Sequence, residues 1–175
     1  WHAANIAFKP YACGTMTQPF IDCAMELARR GVAPGDVDAM ECNVGEGTVH
    51  RLWEPLSEKR NPSTPYSAKF SVPFCIAVAM VDGAAGLGQF TEDRINDEAV
   101  LALANSISYR IDPENEYPAN YSGHIRATLK DGTVHEVEQP HLRGGAREPL
   151  ESGELAAKFK ANVDFGGWPD EQNRR

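Results

Sequence analysis

The chain of 175 residues lacks most of the patterns that would fix its chemistry by spacing alone. None of its four cysteines, Cys13, Cys23, Cys42 and Cys75, forms a CxxC pair, and no histidine stands at zinc-finger distance from them. Thiolate zinc sites and dithiol redox motifs are therefore not expected, and no metal ligand set is assigned. There is no GxSxG elbow, no HExxH and no Walker loop. Positive charge is scarce: 17 Lys and Arg stand against 25 Asp and Glu, for a net charge of −8. That balance argues against nucleic acid, which is gripped by concentrated cations. A polyanionic ligand would need a local basic pocket, because the overall field does not attract it. The longest apolar-rich run, near Val72 to Val81, is too short to cross a bilayer, so no membrane association is expected. The opening WHAANIAFKPY lacks the basic-then-apolar layout of a signal peptide, and it starts on Trp rather than Met, as a trimmed chain or an excised domain would.

What is present is a globular composition. Hydrophobic residues make up 42%, enough for one core and one domain. A chain of this size does not need disulfides, so reduced thiols in a cytoplasmic protein are expected, with Cys23 and Cys75 acting as small buried hydrophobes.

The apolar periodicity predicts a first helix opening at Thr17-Gln-Pro19. Its buried stripe is Phe20, Ile21, Ala24, Met25, Leu27 and Ala28, and Gly31 ends it. Val37 to Val44 alternates as a strand, followed by a loop from Gly45 to His50 and an exposed connection from Glu54 to Pro65. The stretch SAKFSVPFCIAVAMVDG is unusual because Pro73 interrupts a helical pattern. Two pieces resolve it, one entered at Thr64-Pro65 and one capped by Ser71, with Pro73 in the tolerated first turn and Gly83 at the end. A short helix from Glu98 to Ala104 follows, entered near Asn96, with Val100, Leu101 and Ala104 inward. Next come a strand from Ser106 to Ile111 and a loop over DPENEYPANY. A hairpin joins His124–Lys130 to Thr133–Val137 through Asp131-Gly132. Ser152 caps a last helix running to about Asn162, buried through Leu155, Ala156 and Phe159. The expected fold is α+β, a two-layer sandwich of helices on a small, largely antiparallel sheet with a C-terminal hairpin. It occupies residues 1–163, with residues 164–175 as a polar tail.

Candidate binding residues are sparse. Lys9 and Tyr11, just ahead of the first helix, could grip a carboxylate together with free N–H groups near Cys13 to Gln18. On residue type alone an ordinary solvated lysine explains Lys9 as well. Arg143 and Arg147 lie in a glycine-rich loop that can act as an anion grip or as an exposed turn. Glu46 is the one carboxylate in a glycine-flanked loop after a strand; it either lines a cleft or is a solvated turn residue. Gly83 to Gly88 follows a helix rather than a strand and reads as a turn, not a phosphate cradle. His124 and His135 fall within the hairpin strands and read as structural or exposed.

Four stretches in order carry a resemblance: FKPYACGTMTQPFIDCAMEL, PSTPYSAKFSVPFCIAVAMVDG, the LKDG hairpin and GGAREPLESGELAAKFKANV. Together they resemble the C-terminal domain of the 2-methylcitrate dehydratase (MmgE/PrpD) family over nearly the whole chain. The resemblance implies a lyase that dehydrates, decarboxylates or epimerises small di- or tricarboxylic acids without metal or organic cofactor. It implies a homodimer whose active site lies between this domain and a large N-terminal helical domain holding the principal catalytic histidines. Lys9 matches the family's cleft lysine, with Tyr11 beside it. Gln18 stands where many members have histidine, and Phe74 where they have tyrosine. Glu46 falls near a cleft tyrosine of some relatives. Lys69 and Ser71 border the cleft in this reading. The departures at Gln18 and Phe74 leave a second expectation open, a non-catalytic binding or dimerisation module. A standalone small-molecule sensor rests only on the compact shape.

Overall fold

The structure is a computed structural model and describes residues 6–168. Four strands form one mixed sheet in the order β2-β1-β3-β4. They are β1 (Val37–Val44), β2 (Ile107–Ile111), β3 (Gly123–Leu129) and β4 (Val134–Gln139). β1 pairs in parallel with β2 and antiparallel with β3, and β3 and β4 form the Asp131-Gly132 hairpin. Eight helices are present among the described residues: α1 (Gln18–Arg29), α2 (Glu46–Leu52), α3 (Leu56–Arg60), α4 (Pro65–Ala68), α5 (Val72–Asp82), α6 (Glu92–Ile95), α7 (Glu98–Asn105) and α8 (Ser152–Phe165). The fold is α+β, as the sequence predicts. No helix among the described residues is long and apolar enough to cross a membrane.

α1 carries Pro19 in its first turn, buries Phe20, Ile21, Ala24 and Leu27, and lies against β3, β4 and α5. α5 is apolar on every side and packs between α1 and α7, with Val72 to Met80 all buried. The break before it is real. Thr64 caps α4, and the Ser71 hydroxyl accepts from Phe74 N at 3.1 Å to start α5, so Pro73 falls where its missing N–H costs nothing.

Several local expectations fail for identifiable reasons. Gly45 to His50 is not a loop but the start of α2. Gly47, Thr48 and Val49 are poor helix formers, and burial of Leu52 and Trp53 overrides that weakness. Within the supposed exposed connection, α3 turns its cations inward. Lys59 Nζ donates to Arg51 O at 2.6 Å and Phe70 O at 3.0 Å, while Arg60 donates twice to Ile107 O at 2.9 and 2.6 Å. Asp97, not Asn96, caps α7, accepting from Ala99 N and Val100 N. Leu103 rather than Leu101 faces inward there. The largest difference is α8. Glu151, not Ser152, stands at its N-cap, none of its residues is buried, and Phe159 is 62% exposed. The helix runs past residue 163 to Phe165, so it crosses the boundary drawn for the tail; residues 169–175 of that tail lie outside the described residues.

Candidate functional site

Residues 8–14 are irregular chain held at three points. Phe8 N donates to Gly144 O at 2.9 Å, Ala12 N to Ala85 O at 3.0 Å and Gly14 N to Lys69 O at 2.8 Å. These ties give Lys9 and Tyr11 opposite roles. Lys9 is exposed, with its ammonium seated on Cys13 O at 3.2 Å. Tyr11 is buried and donates its hydroxyl to Asp22 Oδ1 at 2.5 Å. The two side chains therefore do not converge on one ligand.

Under this segment lies a buried polar cluster. Arg143 donates Nε to Asp22 Oδ1 at 2.8 Å, Nη2 to the Tyr11 hydroxyl at 2.9 Å and Nη1 to Glu154. Its guanidinium also stands over the Tyr11 ring, 5.5 Å from the centroid. Asp22 is only 7% exposed, and its Oδ2 has no partner among the described residues. Burial raises the Asp22 pKa despite the hydrogen bonds from Tyr11 and Arg143. Burial and the neighbouring Asp22 charge push the Tyr11 phenol well up, so it stays a donor. Arg143 is pushed up by its bonds to Asp22 and Tyr11 against the opposing effect of its own desolvation, which is the largest single contribution. The adjoining cavity of about 660 Å³ carries five carboxylates, including Asp22 and Glu138, against three arginines. With three of its five N–H donors committed, and its charge shared between Asp22 and Glu154, Arg143 braces the fold here.

The remaining candidates scatter. Gln18 is 1% exposed at the start of α1, and neither amide atom has a partner among the described residues. Glu46 is exposed in the first turn of α2, where a carboxylate suits the dipole. Lys69 stands over the Phe90 ring at 5.9 Å. Ser71 is fully buried and donates to Lys59 O, so its hydroxyl serves as a cap. Arg147 is exposed beside a shallow depression with His141 and Tyr121. Phe74 is fully buried against Phe90, with ring centroids 6.2 Å apart, so a hydroxyl at this position would project into the core of this domain. His124 pairs with Glu136 at 2.7 Å across the hairpin. Among the described residues no group of three or more His, Cys, Asp or Glu could hold a metal.

Sequence reasoning missed three residues. Asp22 had a signal, a charge inside the apolar run FIDCA, since a buried carboxylate demands partners. Glu154 and Lys158 had none. Lys158 Nζ donates to Lys9 O at 2.6 Å and Pro10 O at 3.5 Å, which fixes α8 beside the Lys9 segment. Cys13 lies just below. Its thiol is drawn to a lower pKa chiefly by the hydrogen bond from Cys75, with smaller help from Thr17, Lys9 and Lys158 against burial.

The comparisons with known proteins agree with this architecture. The family model of the MmgE/PrpD C-terminal domain matches residues 11–175. The chain belongs to the MmgE/PrpD family, as its C-terminal domain. It is 27% identical to a cis-aconitate decarboxylase of Mus musculus over 163 residues, covering 91% of this chain and 33% of that protein. It is 28% identical to a cis-aconitate decarboxylase of Homo sapiens over 103 residues, covering 58% and 21%. It is 23% identical to one of Aspergillus terreus over 176 residues, covering 91% and 34%. The chain thus spans about a third or less of the length of these relatives.

The anchoring of this MmgE/PrpD segment can be tested at Gly144, which has φ +88 and accepts the Phe8 N–H. A Cβ there would run into Phe8 O. Gly144→Ala should cost roughly 2–3 kcal/mol, combining a left-handed backbone with a backbone clash. It should also speed amide hydrogen exchange at Phe8 and Ala12. Unchanged exchange at those amides would mean that Gly144 does not hold the segment.

Proposed function

We propose that this domain is the C-terminal part of a cofactor-independent lyase, of the dehydratase, decarboxylase or epimerase type, acting on small di- or tricarboxylic acids. Lys9 supplies a contact to a substrate carboxylate in a cleft shared with a helical partner domain. The base that removes a proton alpha to a carboxylate comes from that partner. The observation that carries the reading is Lys9 itself. Its ammonium is exposed, is anchored on one carbonyl and makes no ion pair among the described residues. In a chain with net charge −8, a lysine without a carboxylate partner among the described residues supports a contact to an external anion. The cis-aconitate decarboxylase names of the relatives favour a tricarboxylate of the aconitate and citrate type. Four buried free thiols suit a reducing compartment, the cytoplasm.

The exposed face of α8 bears on the partner. Phe159, Phe165 and Trp168 are each more than half exposed, and so are Ile6 and Phe8 nearby in the chain segment that α8 touches. Apolar surface of this kind is normally covered. A helical domain covers it in the lyase reading. A second copy of the chain covers it in the alternative, a non-catalytic dimerisation module; the lyase reading also includes a homodimer.

The test is turnover of cis-aconitate and citrate by the chain alone and after addition of the helical domain of a relative. Turnover only with the added domain, falling roughly 10²–10³-fold in kcat/KM for Lys9→Met, is expected. Full activity of Lys9→Met would remove Lys9 from the site. A chain that self-associates and never turns over would favour the dimerisation module.

A further inference from the structure

A second cavity, of about 540 Å³, shares Tyr11 and Met25 with the charged one and is otherwise lined by different residues. Its walls are mainly apolar, with Pro10, Ala12, Ala84, Ala85, Leu87 and Phe165 among the lining residues. The Gly83–Gly88 turn forms one side, and its small residues leave the space open. Among the described residues Lys158 is the only charged one in the lining, and no Asp or Glu lines the cavity. That is notable in a chain where acidic residues outnumber basic ones by 25 to 17.

The lysine is placed to hold an anion. Its ammonium sits at the Pro10 end of the cavity, bonded among the described residues only to the carbonyls of Lys9 and Pro10. An ammonium has three donors, so one remains, and Lys158 makes no ion pair among the described residues. Burial lowers its pKa, with the nearby Lys9 charge adding to the effect and Cys13 opposing it, as expected for a cation lacking a counter-charge.

We propose that this cavity binds a small aliphatic monocarboxylate, its headgroup on Lys158 and its hydrocarbon chain along Ala84, Ala85, Leu87 and Phe165. One cation at one end of an apolar slot matches one carboxylate. The additional carboxylates of a citrate-type acid would lie against apolar walls without partners, which disfavours them here. The site is therefore separate from the Lys9 contact and goes beyond it.

Octanoate titrated into the chain, followed by amide shifts and by calorimetry, tests the proposal. Saturable shifts confined to the Gly83–Gln89 turn, residues 10–12 and α8 are expected. Binding should tighten about fourfold for each methylene from butanoate to octanoate. Lys158→Met should weaken octanoate at least about tenfold more than it weakens octanol, whose loss reads only the loosening of α8. Ala161→Trp, an exposed lining position on α8, should block both ligands without unfolding the chain. Lys9→Met should leave octanoate binding within about threefold, since that side chain reaches the ligand only through its field. The proposal is overturned if octanoate gives no saturable shift, as when another polypeptide occupies the groove. It is also overturned if Lys158→Met binds octanoate normally, or if citrate competes for the same residues as well as octanoate does.

Discussion

Asp22→Ala should lower the unfolding free energy by about 3 kcal/mol in a urea titration, because it strips the shared acceptor from two buried donors. Tyr11 and Arg143 both donate to Asp22 Oδ1, at 2.5 and 2.8 Å. Without it the Tyr11 hydroxyl keeps only the approach of Arg143, and the guanidinium keeps only Glu154 as a charge partner. Asp22→Asn retains an acceptor oxygen and should cost about 1 kcal/mol. The pH dependence of this pair of proteins has a definite sign. Burial raises the folded-state pKa of Asp22 above its unfolded value, so the folded state takes up the proton first as pH falls. The stabilising contribution is fully present below the unfolded pKa and is lost as pH rises through the folded one. Wild type should therefore gain on Asp22→Asn in acid and lose ground as pH rises through the raised pKa. A constant difference between the two across that range would mean that Asp22 is not desolvated as described.

Gly123→Ala should be the second large effect, about 3 kcal/mol. A Cβ at Gly123 would lie 2.5 Å from Pro19 C, 2.6 Å from Pro19 O and 2.8 Å from Phe20 N. These are backbone atoms of the first turn of α1, which cannot rotate aside as a side chain can. β3 and α1, which pack against each other, would have to separate. Gly35→Ala provides the control: nothing lies within 4 Å of its added Cβ, and stability should change by less than about 0.5 kcal/mol. Equal losses at both positions in urea titrations would show that the packing of β3 on α1 is not the cause.

Much of the fold was legible because its signals are local. The stripe of α1, the alternation of β1, the paired caps at Thr64 and Ser71 and the Asp131-Gly132 turn each depend on residues within a few positions of one another. Helix α2 was not legible, because its own residues favour a loop and only the burial of Leu52 and Trp53 makes it helical. The burial of α8 was misread because Leu155 and Phe159 have helical spacing whether or not anything covers them. Lys9 was singled out by its place ahead of α1 and by the family motif, and Arg143 by residue type, but the partnership of Arg143 with Tyr11, Asp22 and Glu154 was not legible.

The sequence by itself determined an α+β domain of the MmgE/PrpD type, the order of its four strands and the excess of negative charge, because periodicity, turn chemistry and composition are properties of the chain alone. Only the tertiary structure decided what the charged residues do. Tyr11 and Asp22 meet Arg143 across more than 120 positions of sequence, and Lys158 meets Lys9 across 149. A buried carboxylate draws whatever donors the fold brings within about 3 Å, and that distance is set by the packing of β4, α1 and α8, which no local pattern encodes.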